Sequence, residues 1–164
     1  MTKKEKEESS SFEGKYLTFN LMDEFYGINV DWILQIIAIP DITQIPKTPQ
    51  FVKGVINLRG KIVPVIDLRL RFQLPEQEYN DRTSIVILKF QVDKGEIFIG
   101  IIVDRVIEVL DIHSSEIEET PTFGVDIDTQ FIQAMAKVKN LVVTLVDVSK
   151  IFTDSELKKL KNSK

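Results

Sequence analysis

The chain of 164 residues is long enough for one domain or two small ones, and its 43% apolar and 28% charged residues are those of an ordinary folded protein. With no cysteine and a single histidine, disulfides, thiolate catalysis, cysteine-based zinc sites and multi-histidine metal centres are excluded. A net charge of −4 argues against a nucleic-acid binder, whose attraction to phosphate needs a basic surface.

Residues 1–14 mix lysines and glutamates with serines, carry no apolar signal core and read as a flexible tail. From Lys15 the pattern changes: Leu17, Phe19 and Leu21 alternate with Tyr16, Thr18 and Asn20, the period of a half-buried strand. Asp23-Glu24 turns the chain into a second strand at 25–30. Further strands are expected at 35–39, 54–58, 62–66, 84–92, 96–103, 106–110 and 141–146, all rich in Ile and Val, whose stiff χ1 suits a pleated surface. Asp93-Lys94-Gly95 marks a hairpin between two of them. Residues 147–152 form a turn or two of helix. Thr153-Asp154-Ser155-Glu156 before Leu157-Lys158-Lys159-Leu160 reads as a capped C-terminal helix over 153–164. The longest apolar runs, 97–103 and 141–146, are far short of the roughly 20 residues a spanning helix needs. Absence of cysteine fits a reducing compartment, so the expected location is cytoplasmic.

An internal echo organises these strands. Gly27-Ile28-Asn29-Val30-Asp31 recurs as Gly100-Ile101-Ile102-Val103-Asp104, and 33–37 keep the character of 106–110. Val65-Ile66-Asp67-Leu68 with Phe72 recurs as Leu145-Val146-Asp147-Val148 with Phe152, in the same order. Two similar halves of about 70 residues follow, and closing each small sheet on itself removes exposed edges. The expected seam lies at 75–82, giving a first barrel over about 15–80 and a second over about 81–152.

No motif for chemistry is complete. His113, among Asp111, Ser114 and Ser115, lacks any nucleophile elbow and reads as a solvated loop histidine. The acidic stretch 111–130 imitates a calcium loop at Asp126-Ile127-Asp128, but Phe131 stands where glycine is required and Lys137 where a carboxylate is. It reads as a surface loop able to steer a basic partner. Residues 54–61 resemble a phosphate loop superficially, with one residue too many and Ile62 in place of the magnesium-binding hydroxyl; a hairpin fits better. Lys53, Arg59, Lys61, Arg69 and Arg71 make a basic segment without the interleaved aromatics that nucleic-acid stacking needs. No cofactor and no metal site is expected.

The same segment carries a family pattern. Phe51-Val52-Lys53-Gly54-Val55-Ile56-Asn57-Leu58-Arg59-Gly60-Lys61-Ile62-Val63-Pro64-Val65-Ile66-Asp67-Leu68-Arg69 closely resembles the signature of the CheW-like domain family of chemotaxis coupling proteins. Tyr26-Gly27-Ile28 and Gly100-Ile101-Ile102-Val103-Asp104-Arg105-Val106 are similar to the family in the same order, so the resemblance spans about 15–152. It implies a mostly β fold of two SH3-like five-stranded β-barrels with short helices and no enzymatic activity. The implied partners are the regulatory domain of the histidine kinase CheA and the cytoplasmic tip of methyl-accepting chemotaxis receptors. Nucleic acid and membrane insertion are not implied; recruitment to membrane-bound receptor arrays is. The module also occurs inside the kinase and fused to a receiver, and this chain resembles the stand-alone adaptor. An alternative role is array assembly through ring contacts with kinase regulatory domains or itself.

Carried over by residue, Arg59 in the Asn-Leu-Arg-Gly turn is the implied polar contact to the receptor, its planar five-donor guanidinium suited to carboxylates or helix-end carbonyls. Ile33, Gln35, Gly100, Val106 and Val109 match positions associated with receptor binding. Gln35 stands where relatives often have glutamate, and Ile37 where some have a basic residue, changes that bear on partner specificity. The surface around Ile39, Pro40, Ile42 and Ile45 is the implied kinase contact.

Overall fold

The structure, a computed structural model, describes residues 12–93, 95–118, 131–153 and 155–156. In chain order its strands are β1 (Gly14–Leu21), β2 (Glu24–Asn29), β3 (Ile33–Ala38), β4 (Val52–Leu58), β5 (Lys61–Asp67), β6 (Ser84–Val92), β7 (Gly95–Val103), β8 (Arg105–Ile112), β9 (Ile117–Glu118), β10 (Ile132–Val138) and β11 (Leu141–Val146). One short helix, α1 (Leu68–Arg71), follows β5. The strands form two sheets, in the order β8-β1-β2-β11-β10-β9 and β3-β6-β7-β5-β4. They are two SH3-like subdomains of a mostly β protein, five strands in one and six in the other, where β9 adds two residues.

Both sheets rest on the Ile/Val alternation. In the five-stranded one, Ile56, Val63, Val65, Ile85, Ile87 and Ile102 bury their side chains together. In the six-stranded one, Tyr16, Leu110, Ile112, Ala134, Ala136, Val138, Val143 and Leu145 do so. The echo is a structural repeat. β2 lies parallel to β11 with Gly27 opposite Leu145, and β7 lies parallel to β5 with Gly100 opposite Val65. The offsets of 73 and 80 residues thus superimpose one parallel pairing on the other. They also relate the hydrogen bond from Asp67 N–H to Phe51 O (2.8 Å) to that from Asp147 N–H to Phe131 O (2.7 Å).

The halves are nevertheless not the subdomains, which corrects the expected seam. One compact unit comprises residues up to Val30 and Ile107–Ile151; the other comprises Asp31–Val106 and the residues from Phe152. Each half gives its first hairpin, β1–β2 or β6–β7, to one sheet and its remaining strands to the other. A parallel pair needs a crossover between its strands, and for β5 and β7 the chain passes through α1, residues 72–83 and β6 before it returns beside β5. Strand patterning cannot separate this exchange from two self-contained halves, because the same apolar faces are buried either way.

Other expectations meet the structure at finer scale. The tail reading falls outside the described residues up to Ser11, whereas Phe12 packs on the six-stranded core and Gly14 begins β1. Residues 119–130 of the acidic stretch and 157–164 of the C-terminal helix also lie outside them. The start of that helix carries its cap: Thr153 Oγ1 accepts from Glu156 N–H (3.1 Å) and Glu156 Oε1 from Thr153 N–H (2.8 Å).

Candidate partner-binding surface

The hairpin β4–β5 joins two strands of the five-stranded sheet through a tight turn. Leu58 pairs with Lys61, leaving Arg59 and Gly60 as a two-residue turn at φ 53° and 86°. Left-handed backbone at both central positions defines the mirror-image turn whose twist matches a hairpin. Asn57 Oδ1 accepts from Gly60 N–H at 2.8 Å and braces it. The exposed tip presents the Arg59 guanidinium, which has no ion pair or hydrogen bond among the described residues. A non-glycine residue in this backbone region carries strain, here at a solvent-facing cation.

Beside the tip, Ile62 keeps 60% of its surface exposed, in phase with Pro64 on the outward face of β5. Lys61 Nζ lies 4.9 Å above the Phe98 ring. Phe98, Leu58, Ile37, Ile39 and Ile42 cover the end of the buried cluster without being buried themselves. The stretch 39–45 is pinned there by Thr43, which exchanges two backbone hydrogen bonds with Val55 (2.9 and 2.8 Å). That approach explains Gly54, whose Cβ would stand 2.0 Å from Thr43 O. Of the four residues implied for the kinase, Pro40 is exposed, Ile45 half-buried, and Ile39 and Ile42 divide their surface between core and solvent.

The residues implied for the receptor do not form one patch. Gln35, Ile87, Gly100 and Val65 make a single row across β3, β6, β7 and β5. Arg59 lies beyond Lys61, four residues along β5 from that row, or at least about 13 Å at 3.3 Å per residue. Gly100 is buried, and a Cβ there would meet Ile85 Cγ2 at 2.7 Å, so the close approach of that side chain favours glycine. Ile33 and Val106 are half-buried in the same unit, whereas Val109, 54% exposed, belongs to the other one.

Behind the hairpin lies a polar clamp that motif reading missed. Asp67 Oδ1 caps α1, accepting from the N–H groups of Arg69 (2.9 Å) and Leu70 (3.4 Å), and its Oδ2 accepts from Tyr79 Oη at 2.8 Å. Arg69, only 8% exposed, donates from Nε to Asp104 Oδ1 at 2.6 Å, from Nη1 to Pro75 O at 3.2 Å, and from Nη2 to Gln77 and Asp104. Burial first, then the hydrogen bond and charge of Asp67, hold the Tyr79 hydroxyl well above the ordinary tyrosine range. The basic segment is therefore heterogeneous: Arg69 is internal, Lys53 pairs with Glu76 at 2.5 Å, and Arg71 lies over Phe51 and 3.4 Å from Glu156. His113 is 70% exposed, with Nδ1 4.0 Å from Glu13. Among the described residues, no three His, Asp or Glu side chains converge as metal ligands.

Fold and surface together define a β scaffold whose distinctive features are an exposed basic tip and apolar side chains around it. Residues 15–156 match the CheW-like domain. The chain is 35% identical to the chemotaxis protein CheW of Klebsiella aerogenes, over 87% of this chain and 84% of that one. It is 36% identical to CheW of Bacillus subtilis, over 84% and 85%. The crystal structure of the scaffolding protein TtCheW from Thermoanaerobacter tengcongensis is similar with a TM-score of 0.73 and 34% identity, covering 87% of this chain and 89% of that one. The chain belongs to the CheW-like domain family, and so to the non-catalytic coupling scaffolds of chemotaxis.

Proposed function

We propose that this protein couples the cytoplasmic tip of a chemotaxis receptor to the regulatory domain of the histidine kinase CheA, at the cytoplasmic side of membrane receptor arrays. The observation that carries the reading is Arg59, a guanidinium unpaired among the described residues, in a left-handed turn at the point of a braced hairpin. A planar cation so placed suits a carboxylate or the carbonyl end of a helix, and Ile62 beside it supplies apolar area at the same contact. The kinase module engages the 39–45 stretch, where exposed Pro40 contributes no donor for indiscriminate strand pairing. Among the described residues no helix is long and apolar enough to cross a membrane.

The test is titration of a receptor-tip fragment into Arg59→Ala protein, with thermal melting in parallel. Loss of one charge-assisted contact, about 1.5–3 kcal/mol, weakens binding roughly ten- to hundredfold while the melting temperature holds. Equal losses of stability and binding would make Arg59 a residue of the turn alone. A specific observation also favours array assembly: the six-stranded subdomain exposes Val109 and Val142 at 54% and 56%, apolar area outside the hairpin. Val142→Glu that spares both binary complexes yet abolishes assembly would assign that role.

A further inference from the structure

The exchange of strands makes the halves complementary parts of a single assembly. Residues 12–80 hold β1–β5 and residues 84–152 hold β6–β11, and neither set contains a complete sheet. In the five-stranded core, Ile56, Val63 and Val65 from the first half meet Ile85, Ile87 and Ile102 from the second. In the six-stranded one, Tyr16 joins seven residues of the second half. Four strand pairings cross between halves: β3 with β6, β5 with β7, β1 with β8 and β2 with β11. The Arg69–Asp104 ion pair crosses as well.

The covalent joint, by contrast, holds little. After Tyr79, anchored to Asp67, come Asn80, Asp81 and Arg82, all exposed, in a turn held by Thr83 N–H to Asn80 O (3.1 Å), Asn80 N–H to Thr83 Oγ1 (2.9 Å) and Arg82 N–H to Asn80 Oδ1 (2.8 Å). Asp67 and Ile85, the ends the joint connects, both lie opposite Ile102 on β7, so it closes a gap of about two strand spacings, roughly 10 Å.

We infer that the Asn80–Arg82 joint is dispensable: the halves recognise each other without it, and a half from a second copy of this chain can substitute. The test inserts a specific protease site between Asp81 and Arg82 of the full chain, cuts it, and follows the product by size exclusion, native mass spectrometry and the emission of Trp32, which packs on Phe90 at 5.8 Å. The cut protein is expected to elute as one particle of intact mass at micromolar concentration with unshifted emission. After denaturation and refolding of mixed isotope-labelled and unlabelled cut protein, half the particles are expected to carry one half of each kind. Separation of the pieces in native buffer, or refolded particles in which labelled and unlabelled halves never mix, would overturn the inference. Should the insertion itself disturb folding, shown by red-shifted emission before cutting, a site after Glu78 keeps the turn and serves the same test.

Discussion

Gly100→Ala adds one methyl group to a place with no room for it. The new Cβ would sit 2.7 Å from Ile85 Cγ2 and 3.2 Å from Ile87 Cδ1, where carbon atoms prefer about 3.5–4.0 Å. Ile85 is fully buried, and its Cγ2 is a branch methyl that moves only if χ1 turns, so the strain passes to the β6–β7 pairing. Overpacking of this kind costs about 1–3 kcal/mol, and removing glycine's freedom from the unfolded chain returns about 0.4–1. A net loss of about 1–2 kcal/mol follows, a fall of roughly 0.5–1 M in urea midpoint at a slope near 2 kcal/mol/M. Gly27→Ala, at the equivalent position of the other sheet, meets Leu145 Cδ2 at 3.2 Å and Val143 Cγ1 at 3.3 Å and needs only a small adjustment. It should cost at least about 1 kcal/mol less. Ile85→Leu deletes the offending branch methyl, so combining it with Gly100→Ala should recover stability beyond additivity. The assay is urea unfolding followed by circular dichroism and by Trp32, which lies in the same unit as Gly100. Equal costs for the two glycines, or strict additivity in the double variant, would refute the packing argument. Receptor binding should fall with Gly100→Ala only as the folded fraction falls, because the residue is buried.

Three further outcomes follow from the hairpin and its clamp. Arg59→Asn places a residue that tolerates left-handed backbone in the turn, so the urea midpoint should rise by the equivalent of about 0.5 kcal/mol while receptor affinity drops. Asp104→Ala leaves the Arg69 charge without its carboxylate and should cost about 2 kcal/mol, discounted from a fully buried pair because Asp104 keeps 24% of its side chain exposed; Lys139→Ala, which breaks an exposed pair with Glu108, should stay within about 0.5 kcal/mol in the same melts. Tyr79 gives an alkaline limit. Its folded-state pKa lies above the ordinary 10.0, so its contribution is complete below pH 10 and is lost as the unfolded state deprotonates above it. Chemical denaturation between pH 9 and 11.5 should show stability falling more steeply in the wild type than in Tyr79→Phe.

The strands were legible where β-branched residues are dense. β6 and β11 have the bounds expected of residues 84–92 and 141–146, and residues 54–61 form the expected hairpin. β10 escaped because Ala134, Met135, Ala136 and Lys137 favour helix by local propensity, and tertiary pairing overrode it. The missing signal was the repeat itself, since an offset of 80 lays Ile132–Val138 on Val52–Leu58. Of the candidate site, Arg59 could be placed on an exposed turn from Asn-Leu-Arg-Gly alone. The burial of Gly100 could not, because a glycine beside a partner and a glycine beside a parallel strand look alike in sequence.

The location of the seam shows why the rest stayed hidden. Residues 75–82 break the apolar pattern because they are the exposed strap between the halves, so the composition change was real. A composition change reports where the chain leaves the core, not which sheet it enters next. That choice depends on pairing between residues far apart in sequence, such as Val65 with Gly100 and Gly27 with Leu145. The repeat carries this information jointly: applying both offsets to one parallel pair yields the other, so assigning β5 to β7 forces β11 onto β2. Only an exchange of hairpins satisfies both pairings at once, since each joins a strand of the first half to one of the second.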